Sequence, residues 1–256
     1  MLKILFIGDI FGKVGRDTVD TLLHEIISKD NIDLVIANSE NVTHGRGMSL
    51  QHYNKLMESG IDIFTGGNHT FDNQDVYEYI DNQNFIRPAN YNRFVAGKGT
   101  EVFSYKGINI RVTNILGRAF INANTNNFYE VMDDILEQDN SDIHIIDFHG
   151  EATAEKIAFF ATYNGMVDAI LGTHTHVQTA DEQIKNNTAY ISDVGATCAL
   201  DSVIGANKKE VLFKEKVGLP IRFRSASGEG QFCAVKLTFD NENKIENIER
   251  VYIKNI

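Results

Sequence analysis

Proline is scarce in this chain, with two residues in 256, so no proline-rich linker divides it. Cysteine is as scarce. Cys198 and Cys233 are too few and too far apart for a disulfide framework, and they fit a reduced cytoplasm. No apolar run approaches the ~20 residues of a membrane span. Met1 to Ile7 is apolar but only a strand long, without the h-region and cleavage site of a secretory signal. Internal repeats and low-complexity tracts are lacking as well. Basic residues are in deficit: 24 Lys and Arg stand against 35 Asp and Glu, a net charge of −11. A shortage of cations excludes a general nucleic-acid-coating role, which needs clustered Lys and Arg. It does not exclude nucleotide binding, because metal ions can supply positive charge locally. What remains is a composition 43% hydrophobic and 23% charged, ordinary for a folded domain. The reading is one cytoplasmic domain spanning 1–256, without a membrane-embedded part.

Apolar runs and helical spacings alternate through the first two thirds. Residues 2–8 form a continuous apolar run, as in strands buried on both faces. Val19, Leu22, Leu23, Ile26 and Ile27 then share one helical face over 17–27. A second strand is predicted at 33–37, and Ser49 is placed to cap a helix through Met57. Residues 61–65 read as a strand and 74–80 as a helix. The runs 100–105 and 108–115 alternate around Lys106-Gly107, which suggests a hairpin. Helices are predicted at 127–137 and 151–163, with strands at 141–148 and 167–171. The last third reads mainly as strands, at 189–191, 230–239 and 245–253. This order suggests a layered α/β sandwich with a hairpin-rich second sheet.

Five of the predicted strands end on side chains that bind cations: Asp9, Glu40 with Asn41, Asn68 with His69, His149, and His174 with His176. In α/β sheets function collects at the carboxyl ends of strands. Taken singly, each residue has an ordinary explanation. Asp9 can cap a helix, Glu40 can be a solvated acid, Asn68 a turn residue and His149 a satisfied histidine. In an extended chain, residues two apart face the same side, so His174 and His176 can reach the same place. Their joint placement at strand ends of one alternating sheet is what asks for a common cause. Asp, Glu, Asn and His together suit Mn, Fe or Zn better than Ca or Mg, and no cysteine suggests a structural thiolate site. Seven ligands are too many for one metal with an open position; two metals sharing Glu40 could use them. Glycines at 66 and 67 let the backbone approach something closely. His24, His52 and His144 read as structural, while His44 stays open.

Gly8-Asp9, Glu40-Asn41 followed by Gly45-Arg46-Gly47, Gly67-Asn68-His69, Asp147 to Thr153, His174-Thr175-His176 and Ser192 to Gly195 occur in a familiar order. The chain resembles the calcineurin-like metallophosphoesterases, and within them the YmdB-like bacterial phosphodiesterases. That resemblance covers nearly the whole chain. It implies a four-layer αββα sandwich with a dinuclear centre of iron, or alternatively manganese. By motif position Asp9, Asn41 and His176 would hold one ion, and Asn68, His149 and His174 the other. Glu40 would bridge and His69 would act as proton donor. The branch is associated with hydrolysis of 2′,3′-cyclic nucleotides and with RNA turnover. Two departures from the wider superfamily, Phe11 in place of a histidine ligand and Glu40 in place of aspartate, look typical of the branch. Ala196-Thr197-Cys198 departs from the branch itself.

The expected reaction is attack on a phosphodiester by a metal-activated hydroxide, with His69 protonating the departing ribose oxygen. An amidohydrolase is disfavoured, because its His-x-His lies near the start of an eight-stranded barrel. The alternative from another class is a regulatory scaffold for an RNA-processing partner that keeps only residual catalysis. A homo-oligomer is compatible with either.

Overall fold

The computed structural model describes residues 1–256. Its strands are β1 (Leu2–Ile7), β2 (Asp9–Ile10), β3 (Leu34–Asn38), β4 (Ile63–Thr65), β5 (Phe85–Ile86), β6 (Thr100–Tyr105) and β7 (Ile108–Leu116). They continue with β8 (Ile143–His149), β9 (Ala169–Thr173), β10 (Gln183–Lys185), β11 (Thr188–Ile191), β12 (Ala196–Ala199), β13 (Gly230–Phe239) and β14 (Ile245–Lys254). The helices are α1 (Gly12–Asp30), α2 (Leu50–Glu58), α3 (Phe128–Glu137), α4 (Thr153–Tyr163) and α5 (Lys208–Val217).

Two mixed sheets lie face to face. One runs β2-β12-β13-β1-β3-β4-β5, with β14 joined through β13; the other runs β10-β11-β9-β8-β7-β6. Strand parity divides the apolar residues among three cores. Leu2, Ile4 and Phe6 of β1 pack between the sheets with Ile143 and Ile145 of β8 and with Ala169 and Leu171 of β9. The alternate residues Leu5 and Ile7 face outward with Val35 and Ala37, against Val19, Leu23 and Ile26 of α1 and Leu56 of α2. On the far side Ile146, Phe148 and Ile170 meet Met132 of α3 and Phe159 of α4. Period-two alternation with both faces apolar is what a sheet covered on both sides requires. The result is the expected αββα layering.

Several local expectations hold. Ser49 caps α2 by accepting from His52 N, and Lys106-Gly107, both at positive φ, turn the β6–β7 hairpin. Others need correction. The α1 helix extends to 12–30. Residues 74–78 form only a short 3₁₀ helix. β9 ends at Thr173 rather than Leu171. The last third also contains α5, which was missed because most of its length faces away from the body and carries no apolar stripe for a core to select. β2, β5, β10 and β12 are too short to show a period. The five strand ends do not belong to one sheet: β1, β3 and β4 come from the first, β8 and β9 from the second.

Candidate metal centre

The inter-sheet layer changes character at one end. Continuing the inward parity of β3, β4, β8 and β9 places Asn38, Thr65, Asp147, His149 and Thr173 in line with the apolar residues Leu34, Ile36, Ile63, Ile143, Ile145, Ala169 and Leu171 lower down. All are completely buried. The Asp147 carboxylate gathers them. Asn38 Nδ2 donates to Oδ2 at 2.9 Å, Thr65 Oγ1 to Oδ2 at 2.5 Å, and Thr173 Oγ1 to Oδ1 at 2.6 Å. Burial pushes the Asp147 carboxyl up to about 6, against the pull of His149 and these donors. This polar floor ties the two sheets together. The sequence reading missed Asn38, Thr65 and Thr173 as members, and strand parity was the signal that could have found them.

Above the floor six of the seven candidate ligands, Asp9, Glu40, Asn41, His149, His174 and His176, come together. His149 Nε2 lies 3.1 Å from Glu40 Oε1 and 3.0 Å from His174 Nδ1. Donor atoms of Glu40, His149 and His174 all fall within 4.8 Å of one another. Asp9 Oδ1 is 3.9 Å from His149 Nδ1 and 3.8 Å from His176 Nε2. His176 Nε2 is 3.1 Å from Asn41 Oδ1. Asn68 sits between Gly67, whose backbone lies against Glu40 and His149, and His69, whose N–H donates to Glu40 Oε2 at 2.8 Å.

Three observations test whether this cluster suits metal ions. Asp9 Oδ1 and Asn68 Oδ1 are buried without a hydrogen-bond partner, a costly state for an oxygen that nothing else is to occupy. A Cβ at residue 67 would overlap Glu40 Oε2 and His149 Nε2, so only glycine leaves this floor open. Each histidine is also held from outside by the nitrogen that faces away from the cluster. His149 Nδ1 meets Thr173 Oγ1 at 2.8 Å, His174 Nε2 meets Glu151 Oε2 at 3.0 Å, and His176 Nδ1 meets the Ile204 carbonyl at 2.8 Å. Such outer partners fix ring orientation and tautomer in metal sites. The residues present fit metal ions.

Electrostatics follow from burial and proximity. Burial opposes charge on Glu40 and His149 alike, and their mutual attraction outweighs it, so Glu40 lies below the usual carboxylate range and His149 above the usual imidazole range. Burial, then the neighbouring His149, depresses His174 to about 3. Asp9 is raised, by burial first, despite His176 and His149.

His174 and His176 reach the cluster differently from the extended arrangement expected of them. Both stand past the end of β9 at positive φ, 98° and 67°. Left-handed backbone costs energy for these residues and persists only where surroundings enforce it. Here His174 N donates to Asp9 Oδ2 at 3.1 Å and Thr175 N to Asp193 Oδ2 at 3.0 Å, while the His176 carbonyl accepts from Ala196 N at 3.1 Å. Ala196 in turn pairs with Asp9 through β12 and β2, which gives the divergent Ala196-Thr197-Cys198 segment a structural place.

His69 sits at the rim, its side chain 26% exposed, with Nδ1 2.8 Å from Asp72 Oδ2. Arg46 Nη1 lies 3.7 Å from the same carboxylate. Three other histidines stand apart. His144 bonds Thr113 and Asp139, His52 bonds Thr43, and His24 is exposed on α1.

A family model described as YmdB-like protein matches residues 5–251. A Bacillus subtilis (strain 168) protein named 2′,3′-cyclic-nucleotide 2′-phosphodiesterase is 38% identical over 256 residues, covering 98% of this chain and 97% of its own. A crystal structure of a novel phosphatase from Mycoplasma pneumoniae superposes with a TM-score of 0.95 at 38% identity, covering 99% of this chain and 93% of that one. A 5′-nucleotidase precursor from Thermus thermophilus shares the fold at a TM-score of 0.56 and 11% identity, over 99% of this chain and 54% of that one.

Proposed function

We propose that this chain, which belongs to the YmdB-like family, is a metal-dependent phosphodiesterase acting on 2′,3′-cyclic nucleotides. The observation that carries the reading is the meeting of Asp9, Glu40, Asn41, His149, His174 and His176 from both sheets, with two oxygens, Asp9 Oδ1 and Asn68 Oδ1, buried and unpartnered. The name of the Bacillus subtilis relative supports the substrate class.

In this reading Asp9, Asn41 and His176 would hold one ion and Asn68, His149 and His174 a second, Glu40 would serve both, and iron or manganese would be the metals. Such ions supply a low-pKa water and neutralise phosphate charge that a protein of net −11 would repel. The chain's own residues do the rest. Arg46 adds a cation at the rim for the incoming phosphodiester. With Nδ1 engaged by Asp72, His69 presents Nε2 to the substrate. The proton moves from His69 Nε2 to the departing ribose oxygen while Nδ1–H stays bonded to Asp72. Asp72 thereby orients the donor, and the backbone bond from His69 N to Glu40 fixes its distance from the cluster. The reading treats 1–256 as one cytoplasmic domain; no helix is long and apolar enough to cross a membrane.

The test is hydrolysis of 2′,3′-cyclic AMP and of bis-p-nitrophenyl phosphate by purified protein loaded with Mn²⁺ or Fe²⁺. Activity on both that disappears in Glu40→Ala supports the reading. No turnover of either by the metal-loaded wild type would sink it.

A further inference from the structure

Phe120 is 89% exposed, yet its backbone is left-handed, at φ 62°. That conformation is an outlier for a bulky side chain. A ring left in solvent returns nothing to the chain's own packing. Strain of this kind persists only where the surroundings enforce it, and it collects at functional sites.

The loop that carries Phe120 is fastened at both ends beside the candidate metal centre. At its start Gly117 N donates to the His149 carbonyl at 2.8 Å, and a Cβ on Gly117 would lie 3.0 Å from Gly150 Cα. The Glu155 carboxylate then accepts from Arg118 N at 3.0 Å and from Ala119 N at 3.3 Å. At its end Thr125 pairs with Tyr91, and Asn126 N donates to the Asn90 carbonyl at 2.7 Å. The Asn90 side chain is completely buried and bonds both backbone groups of Leu116, at 2.8 and 2.9 Å. Leu116 in turn pairs with His149 across β7 and β8. Tyr91 belongs to the same rim: burial, then the charges of Glu40 and Asp72, push its hydroxyl up to about 12. Phe71, two residues beyond His69, meets Tyr91 edge-on with 5.7 Å between ring centres. Loop 117–126 therefore borders the site from His149 round to Tyr91. Three residues separate Phe120 from Gly117, at most about 11 Å of extended chain. That keeps the ring within a nucleotide's length of His149.

The loop is also chemically unlike the rest of the surface. Residues 117–126 contain no acid, in a chain that has 35. Arg118 supplies one cation, and Asn122, Asn124 and Asn126 supply exposed amides. An open aromatic face among neutral hydrogen-bonding groups is what an unstacked nucleobase is held by.

We propose that Phe120 is the nucleobase platform of this site: a base stacks on its ring while the phosphate ester lies at the metal cluster. The proposal rests on the phosphodiesterase reading above and says how that site tells a nucleotide from a simple phosphodiester. Every base has a π-face, so stacking tolerates base identity. The platform selects nucleotides without choosing among bases.

Steady-state kinetics of the metal-loaded full chain on 2′,3′-cyclic AMP and on ribose 2′,3′-cyclic phosphate, the same ester without a base, test this. Wild type prefers the nucleotide. Phe120→Ala lowers that preference, as the ratio of the two kcat/KM values, by about tenfold, through KM for 2′,3′-cyclic AMP. Phe120→Tyr, which keeps a ring, keeps the preference. Calorimetry shows 3′-AMP bound about tenfold more weakly by Phe120→Ala than by wild type. A Phe120→Ala protein with the wild-type preference overturns the proposal, as does a loss of equal size on both esters. A wild type that turns over neither ester ends the phosphodiesterase reading; the platform then stands on weaker 3′-AMP binding by Phe120→Ala and is overturned by equal binding.

Discussion

Lys156 Nζ lies 2.8 Å from Asp193 Oδ2, and both side chains are almost wholly buried. The pair sits behind the turn that carries His174 and His176. Lys156 also donates to the Thr173 carbonyl at 2.8 Å, and Asp193 accepts from Thr175 N at 3.0 Å and Gly195 N at 2.8 Å. Helix α4 thus grips the end of β9 through one buried cation.

Replacing Lys156 by Met leaves Asp193 charged and unpaired in the interior. That change costs roughly 3–5 kcal/mol, the usual penalty for breaking a buried pair from one side. Thermal unfolding measures it as a fall of many degrees. A Lys156→Met protein that melts like wild type would show that the pair does not hold the turn.

His69→Ala should lower turnover by about 10²–10⁴, the ordinary worth of a positioned general acid. Metal content, read by elemental analysis, should not change, since His69 contributes only its backbone N–H to the cluster. Asp72→Asn should give a smaller loss. Equal turnover in His69→Ala and wild type would remove His69 from the mechanism.

Gly67→Ala inserts a methyl group into space shared by Glu40 Oε2 and His149 Nε2. The expected outcome is a folded protein, by circular dichroism, that takes up little or no metal. Full metal occupancy in this variant would mean that the ions lie elsewhere.

Metal removal offers a separate measurement. Chelation should abolish phosphodiester hydrolysis and lower the melting temperature, with Mn²⁺ or Fe²⁺ restoring both. At one hundred times the dissociation constant a bound ion adds about 2.7 kcal/mol. Unchanged melting after chelation would count against a resident metal.

Asp168, next to β9, accepts from His144 N at 2.7 Å. Burial raises its carboxyl to about 6. A folded value above the unfolded one, ~3.9, means that its contribution to stability is full below pH ~4 and is lost as pH rises through 6. Asn at this position keeps an acceptor and removes the charge. Asp168→Asn should therefore gain on wild type by roughly 2 kcal/mol or less between pH 4 and 7, because the side chain is half-buried and partly screened. Chemical denaturation across that range measures the difference, and parallel pH profiles would contradict the assignment.

The sequence by itself determined the layers and the cast. Alternation in Leu2–Ile7 and Ile143–Phe148 demands apolar cover on both faces, because successive side chains point to opposite sides of a strand. Cation-binding side chains at strand ends were legible for the same reason: an apolar run that stops on Asp, Asn or His is visible without coordinates. Tertiary structure alone decided how these residues meet. The strands end in two sheets rather than one, so contacts such as Glu40 with His149 join residues that no local pattern relates. His174 and His176 enter on left-handed backbone that Asp9, Asp193 and Ala196 enforce from far along the chain, and no propensity predicts such a conformation. The floor beneath them, Asn38, Thr65 and Thr173 around Asp147, reads in sequence as ordinary small polar residues. Only the inter-sheet parity turns them inward, where a buried carboxylate needs their donors. Helix α5 shows the converse: a segment with little core to face leaves no periodic trace.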